Sequence, residues 1–147
     1  MPAFDPMTYR TNEMTFDLPQ GLKDKSLNVF ALTDEGPSEF SFVISRVPIH
    51  QDQTLADYTS LLIAEMQTKM PSFALLNRSE RKVAGEPATY LEFVWKAEDG
   101  MMHQRQVIFA PPGRDIALLF TGTCPGRFTS THAEAFEAAV DSVKLEK

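Results

Sequence analysis

Amides, rather than acids or nucleophiles, are the polar groups whose placement stands out in this chain. Gln104 and Gln106 lie in the stretch Pro87–Phe109, PATYLEFVWKAEDGMMHQRQVIF. Two alternating runs flank Asp99-Gly100, a dipeptide suited to a two-residue hairpin turn that needs positive φ. With that turn, Ala97 pairs with Met102, Trp95 with Gln104, Phe93 with Gln106 and Leu91 with Ile108. Side chains alternate across a strand, so these eight residues share one face. The face is apolar except for two amides at its centre, and buried amides need hydrogen-bond partners. A surface that meets another apolar chain and bonds that chain's exposed polar groups fits the mixture. This chemistry is binding, not bond-making.

Residues suited to catalysis or metal binding are scattered. The three histidines, His50, His103 and His132, have no metal-ligand spacing with one another or with Cys124, so no metal site is expected. No Ser occupies a G-x-S-x-G elbow and no Gly-rich loop leads into a helix, so neither a hydrolase nucleophile nor a phosphate site is expected. Glu98-Asp99 falls at a hairpin tip, where carboxylates are solvated and their pKa values are not driven apart. The sequence places no His or Lys beside Cys124 to activate its thiol. No catalytic residue and no cofactor is therefore expected.

The bulk properties agree with a binding role. At 147 residues and 43% hydrophobic, the chain has the size of one domain with a true core, spanning 1–147. A net charge of −6 argues against nucleic acid as a partner. The longest aliphatic or aromatic run, Ile116–Phe120, is far short of a membrane span, so no direct membrane insertion is expected. The first residues, MPAFDPMTYR, lack a basic segment followed by an apolar one, so no secretion signal is expected. A single cysteine excludes an internal disulfide and fits a reducing, cytoplasmic setting.

The elements that must position these residues follow from period and punctuation. Strands are expected at Thr8–Arg10, Met14–Leu18, Ser26–Thr33, Phe40–Val47, Leu75–Val83, Ala88–Ala97, Met101–Ala110 and Asp115–Gly122. Thr54 and Asp57 have the spacing of a helix N-cap with an acidic partner, and Pro71 stops that helix near Met70. A last helix starts near Thr129 or Thr131 and carries Phe128, His132, Phe136, Ala139, Val140 and Val143. The fold class is α+β: one antiparallel sheet with an inserted helix (about 54–70) and a C-terminal helix (about 129–143). On the first helix, Leu55, Tyr58, Leu62, Ile63, Met66 and Met70 span about 140°, and Leu61 widens the arc to about 200°. Either the helix is deeply buried, or it has one apolar surface on the sheet and another for a partner. Met66, Met70, Met101 and Met102 favour the second, since unbranched thioethers adapt to varied apolar partners.

The order and spacing of several short motifs give the chain a wider resemblance, covering nearly its whole length. These are Tyr9-Arg10, Phe16-Asp17-Leu18-Pro19, Asp24-Lys25-Ser26-Leu27-Asn28-Val29-Phe30, Phe42-Val43-Ile44-Ser45-Arg46, Asp57-Tyr58, Gly85-x-Pro87-Ala88, Trp95 and Arg105-Gln106-Val107. With these residues the chain resembles the DcrB-like superfamily of Mog1/PsbP-type folds, and within it the Eag chaperones of bacterial type VI secretion. Leu22 stands where many relatives carry Trp.

The resemblance implies a homodimeric cytoplasmic adaptor. Such a protein cradles apolar transmembrane segments near the N-terminus of an effector with a PAAR domain and assists its loading onto the secretion spike. Position by position, it implies a groove built from Leu27 and Val29, Val43, Leu62, Met66 and Met70, and Met102 and Gln106. The alternation of the hairpin points independently to Met102 and Gln106, and the helix period to its apolar ridge. For Leu27, Val29 and Val43, ordinary core is the alternative. A membrane helix satisfies its own backbone, so a holder mainly has to cover side chains. Gln106 and Gln104 are expected to donate to carbonyls and hydroxyls exposed at small residues. A small-molecule or protein-binding module of the same fold, without a secretion role, is the alternative function.

Overall fold

The computed structural model describes residues 7–23, 25–50 and 52–145; Asp24, part of one motif above, lies outside them. The elements run β1 (Met7–Arg10), β2 (Thr15–Leu18), β3 (Asn28–Ala31), β4 (Ser41–Pro48), α1 (Leu55–Lys69), β5 (Ala74–Val83), β6 (Glu86–Ala97), β7 (Gly100–Phe109), β8 (Ile116–Pro125) and α2 (Ser130–Asp141). The expected elements are present with ends shifted by a few residues, and the class is α+β. One expectation changes: β1 and β2 pair only with each other, as a separate two-stranded sheet. The six remaining strands form one antiparallel sheet in the order β3-β4-β8-β7-β6-β5.

Both helices begin where the hydroxyl caps predict. The Asp57 N–H donates to Thr54 Oγ1 at 3.0 Å, and the His132 N–H donates to Thr129 Oγ1 at 3.2 Å. Each cap satisfies an N–H that would otherwise have no partner within the helix.

The β6–β7 hairpin holds a different register from the expected one. Trp95 pairs with Met102, Phe93 with Gln104 and Leu91 with Gln106, because Glu98-Asp99 form the turn. Gly100, the first residue of β7, takes the positive φ of 130°. The register therefore moves by two residues. Since side chains alternate with period two, an even step leaves the same residues on the same face.

The sheet carries a core on each side. Neighbouring residues of β7 supply both: Val107 and Phe109 pack with Phe120, Phe136 and Val140 beneath α2, while Ile108 packs with Leu91, Phe93, Ile63 and Met66 beneath α1. Ala139, expected on the apolar side of α2, is exposed. Arg81 of β5 ties α2 to the sheet edge, with Nη1 2.6 Å from Glu137 and Nη2 2.7 Å from Asp141.

Close approach of α2 depends on Gly122 of β8. A Cβ there would stand 2.7 Å from Phe136 Cδ1 and 3.1 Å from Phe128 Cζ. Neither ring has slack, since Phe136 is fully buried and Phe128 nearly so. Gly122→Ala should destabilise the protein by about 1–3 kcal/mol through overpacking. Urea unfolding checks this, and an unchanged midpoint would show that the two rings yield to the added methyl.

Candidate functional site

The face of the sheet that receives α1 is only partly covered by it. One row of paired residues crosses that face: Val29, Val43, Thr121, Gln106 and Leu91. A second row holds Ala31, Ser41, Thr123, Gln104 and Phe93. α1 packs on the Leu91 and Phe93 end of these rows, where Ile63 and Met66 close the core. Beside it a groove of about 280 Å³ remains, lined by Leu62, Glu65, Met66, Lys69, Met70, Phe93, Gln104, Gln106 and Thr121.

Four of the eight residues expected at a binding groove meet there: Leu62, Met66, Met70 and Gln106. Val43 and Val29 continue the Gln106 row towards the β3 edge, with Val43 half-buried and Val29 63% exposed. Leu27 is exposed in the lead-in to β3. Met102 shares the face but sits opposite Trp95 and Pro125, away from the groove lining. Met66 is 5% exposed and belongs to the core as well as to the groove. Leu61, which widened the apolar arc, is 62% exposed.

The amides find partners that alternation within one hairpin could not show. Trp95 Nε1 donates to Gln104 Oε1 at 2.7 Å, and Gln104 Nε2 donates to Thr123 Oγ1 at 2.7 Å. Gln106 Nε2 donates to Thr121 Oγ1 at 3.0 Å. Thr121 and Thr123 carry a signal of their own. On this face of β8 the residues change from Ala117 and Leu119 to two hydroxyls, as β7 changes from Ile108 to two amides. The groove thus has a hydrogen-bonded polar floor between an apolar helix flank and an apolar strand edge. Its rim carries a Glu65–Lys69 ion pair at 2.7 Å, which is exposed and contributes little to stability.

On the opposite face, β8 brings Cys124 opposite His103, a neighbour that the sequence did not reveal. Both ring nitrogens are engaged: Nδ1 accepts from the Phe128 N–H at 3.0 Å, and Nε2 lies 2.6 Å from Glu92 Oε2. Neither is free to take the thiol proton. Burial pushes the Cys124 thiol up to about 11, against a smaller opposing effect of Arg105. His132 stacks on Phe40 with centroids 5.2 Å apart, and Glu98, Asp99 and His50 are exposed. Among the described residues no group of three or more His, Cys, Asp or Glu is placed to hold a metal, and no helix is long and apolar enough to cross a membrane. A broader open cleft of about 780 Å³ lies on the α2 face, past the end of that helix, lined by Arg46, Leu118, Glu86, Arg114, Lys144 and apolar residues including Pro111 and Leu145.

The DcrB family model matches residues 13–142. The chain belongs to the DcrB family. A Pseudomonas aeruginosa protein named Effector EagT6 is 30% identical over 136 residues, covering 92% of this chain and 93% of the relative. Among solved structures, this DcrB-family chain is similar to PA94, a P. aeruginosa protein of unknown function. That match has a TM-score of 0.82 at 28% identity, over 97% of this chain and 99% of the other. The cyanobacterial PsbP of Synechocystis sp. PCC 6803 matches at a TM-score of 0.53 and 15% identity, over 92% and 91% of the two chains. That likeness shows the PsbP-type fold.

The environment of Cys124 generates a direct test. The thiolate is the reactive form, and a pKa near 11 leaves only about one thiol in a thousand ionised at pH 8. Iodoacetamide at pH 8 should leave the folded DcrB-family protein unmodified by mass spectrometry. In urea, where burial is lost, a single adduct should form within minutes. Rapid alkylation of the folded protein would show an activated thiol.

Proposed function

We propose that this protein is a cytoplasmic adaptor of the Eag type, acting over residues 1–147 as a single domain. It holds apolar transmembrane segments of a type VI secretion effector and keeps them from aggregating until the effector, through its PAAR domain, is loaded onto the spike. The observation that carries the proposal is the groove beside α1, where a polar floor of amides and hydroxyls lies between Leu62, Met66 and Met70 on one side and the Val43–Val29 row on the other. The motif resemblance and the relative named Effector EagT6 support the same role.

The physical requirements match the parts. A membrane helix of about 20 residues is roughly 30 Å long and apolar all round, so it aggregates in water unless covered. Methionine flanks adapt to side chains of different shape. One groove of about 280 Å³ holds a few side chains, not a whole helix. A second copy would extend the cradle, and the short edge strand β3 offers a place for it, with Leu27, Val29, Phe30 and Leu32 exposed. An unpaired apolar edge of this kind invites pairing with another chain. The proposed assembly is therefore a homodimer with self-complementary contacts. With no ATP cycle in the scheme, release follows from transfer of the client to its next partner. The open cleft near Arg46 and Arg114 favours a second function, small-molecule binding, which a ligand-induced rise in thermal midpoint with the groove left empty would favour.

Two measurements test the adaptor. Light scattering after gel filtration at micromolar concentration should report twice 16.5 kDa, and a monomer at every concentration would contradict the cradle. Val29→Gln and Leu62→Gln, at exposed and half-buried positions, should each weaken retention of the effector's N-terminal segment by about 1–3 kcal/mol while leaving the thermal midpoint near that of the parent. Met66→Gln should lower the midpoint as well, because it buries an amide in the core. Normal retention by all three variants, at normal expression, would remove the groove from the mechanism.

A further inference from the structure

The core beneath α2 is open at one end. The helix stops at Asp141, and past it Val143 and Leu145 reach that core only as half-buried residues. With Ile116 and Leu118 of β8 and Pro111 after β7, they line the cleft of about 780 Å³, a volume usual for small-ligand sites. The charged residues of the lining are Arg46, Arg114 and Lys144 against Glu86 alone, in a chain whose net charge is −6. Arg46 has an interaction of its own. Arg114 and Lys144 are exposed, and among the described residues neither forms an ion pair.

We infer that this cleft binds a small amphipathic anion, an alkyl chain ending in a carboxylate. The chain lies on Ile116, Leu118, Val143 and Leu145, and Arg114 and Lys144 hold the carboxylate. This gives the small-molecule function above its ligand class, and it does not rest on the client groove, which lies on the opposite face of the sheet. An apolar floor alone would take an alkyl chain with any headgroup; the surplus of cations selects by sign. Both side chains donate to carboxylate oxygens. A peptide with an apolar C-terminus carries the same carboxylate, but its backbone amides would lose water in the cleft. Pro111 and Pro112 have no N–H to offer them, and the aliphatic side chains offer no partner. An alkyl chain has no such groups to desolvate.

The test is calorimetric titration of the full chain with hexanoate, octanoate, octyltrimethylammonium and acetyl-dileucine bearing a free C-terminus. Octanoate should bind roughly tenfold tighter than hexanoate, because two more methylenes are covered. The octyl cation and the dipeptide should both bind more weakly than octanoate. Arg114→Gln and Lys144→Gln should each weaken octanoate about threefold, the scale of one exposed charge pair. Arg114→Glu combined with Lys144→Glu should invert the preference, so that the octyl cation binds better than octanoate, with the thermal midpoint near the parent's. Equal binding of octyl anion and cation, tighter binding of the dipeptide, or an octanoate affinity that no Arg114 or Lys144 variant moves each overturns the inference. Octanoate binding lost in Leu62→Gln but kept in the charge variants would put the chain in the client groove, and overturns it too. No octanoate binding at millimolar concentration also overturns it and leaves the adaptor function standing, since that is read from client retention.

Discussion

The structure depends on central strands that each serve two cores, β7 most clearly. β7 runs through the six-stranded sheet with α1 over one face and α2 over the other, so its successive residues must satisfy opposite environments. Val107 and Phe109 are fully buried under α2, and Ile108 is fully buried under α1. Towards the start of the strand the α1 side turns polar at Gln106 and Gln104, and the hydroxyls of Thr121 and Thr123 on β8 turn with it. That paired change leaves α1 with apolar sheet to pack on over only part of the face. The groove is the consequence: helix and sheet separate where burial no longer rewards contact.

The far face shows what full burial requires. There α2 comes close enough for Phe136 to lie against the backbone of Gly122, and aromatic rings fill the space, with Phe128 in edge contact with Phe136 and Phe109 stacked on Phe120. Burial also governs the ionisable groups on that face. It raises the Tyr90 hydroxyl to about 12, and His103 is engaged on both nitrogens. Polar groups on this side brace the fold, with Arg81 spanning from β5 to two carboxylates on α2. The two faces therefore differ: around Gly122 the α2 side is tightly packed, and on the α1 side a groove remains beside the helix.

Much of this was legible in the sequence, because the signals are local. The N-caps Thr54 and Thr129, the stop at Pro71 and the alternation of Leu91, Phe93 and Trp95 each depend on residues a few positions apart. The register of the β6–β7 hairpin was not legible, since Asp99-Gly100 and Glu98-Asp99 are both possible turns and Gly100 serves either. The face survived that shift because it was even. The partners of Gln104 and Gln106 were hidden for a different reason: Thr123 and Thr121 lie 19 and 15 residues away and become neighbours only when β8 pairs with β7. Periodicity also gives direction without depth. It placed Met66 and Leu62 on one side of α1, but not that Met66 reaches the core while Leu62 stays at its edge. The separate β1–β2 sheet likewise rests on long-range pairing that short strands do not specify.

The central claim is that the α1 side of the sheet is where an apolar segment of another protein is held. Site-specific photocrosslinking tests it most directly, with the photoreactive residue placed in turn at Val43, at Leu62 and, on the exposed surface of α2, at Ala139. Co-expression with the effector should yield crosslinks from Val43 and Leu62 to its apolar N-terminal segment, and none from Ala139. Crosslinks to that segment from Ala139, with none from Val43 or Leu62, would contradict the claim.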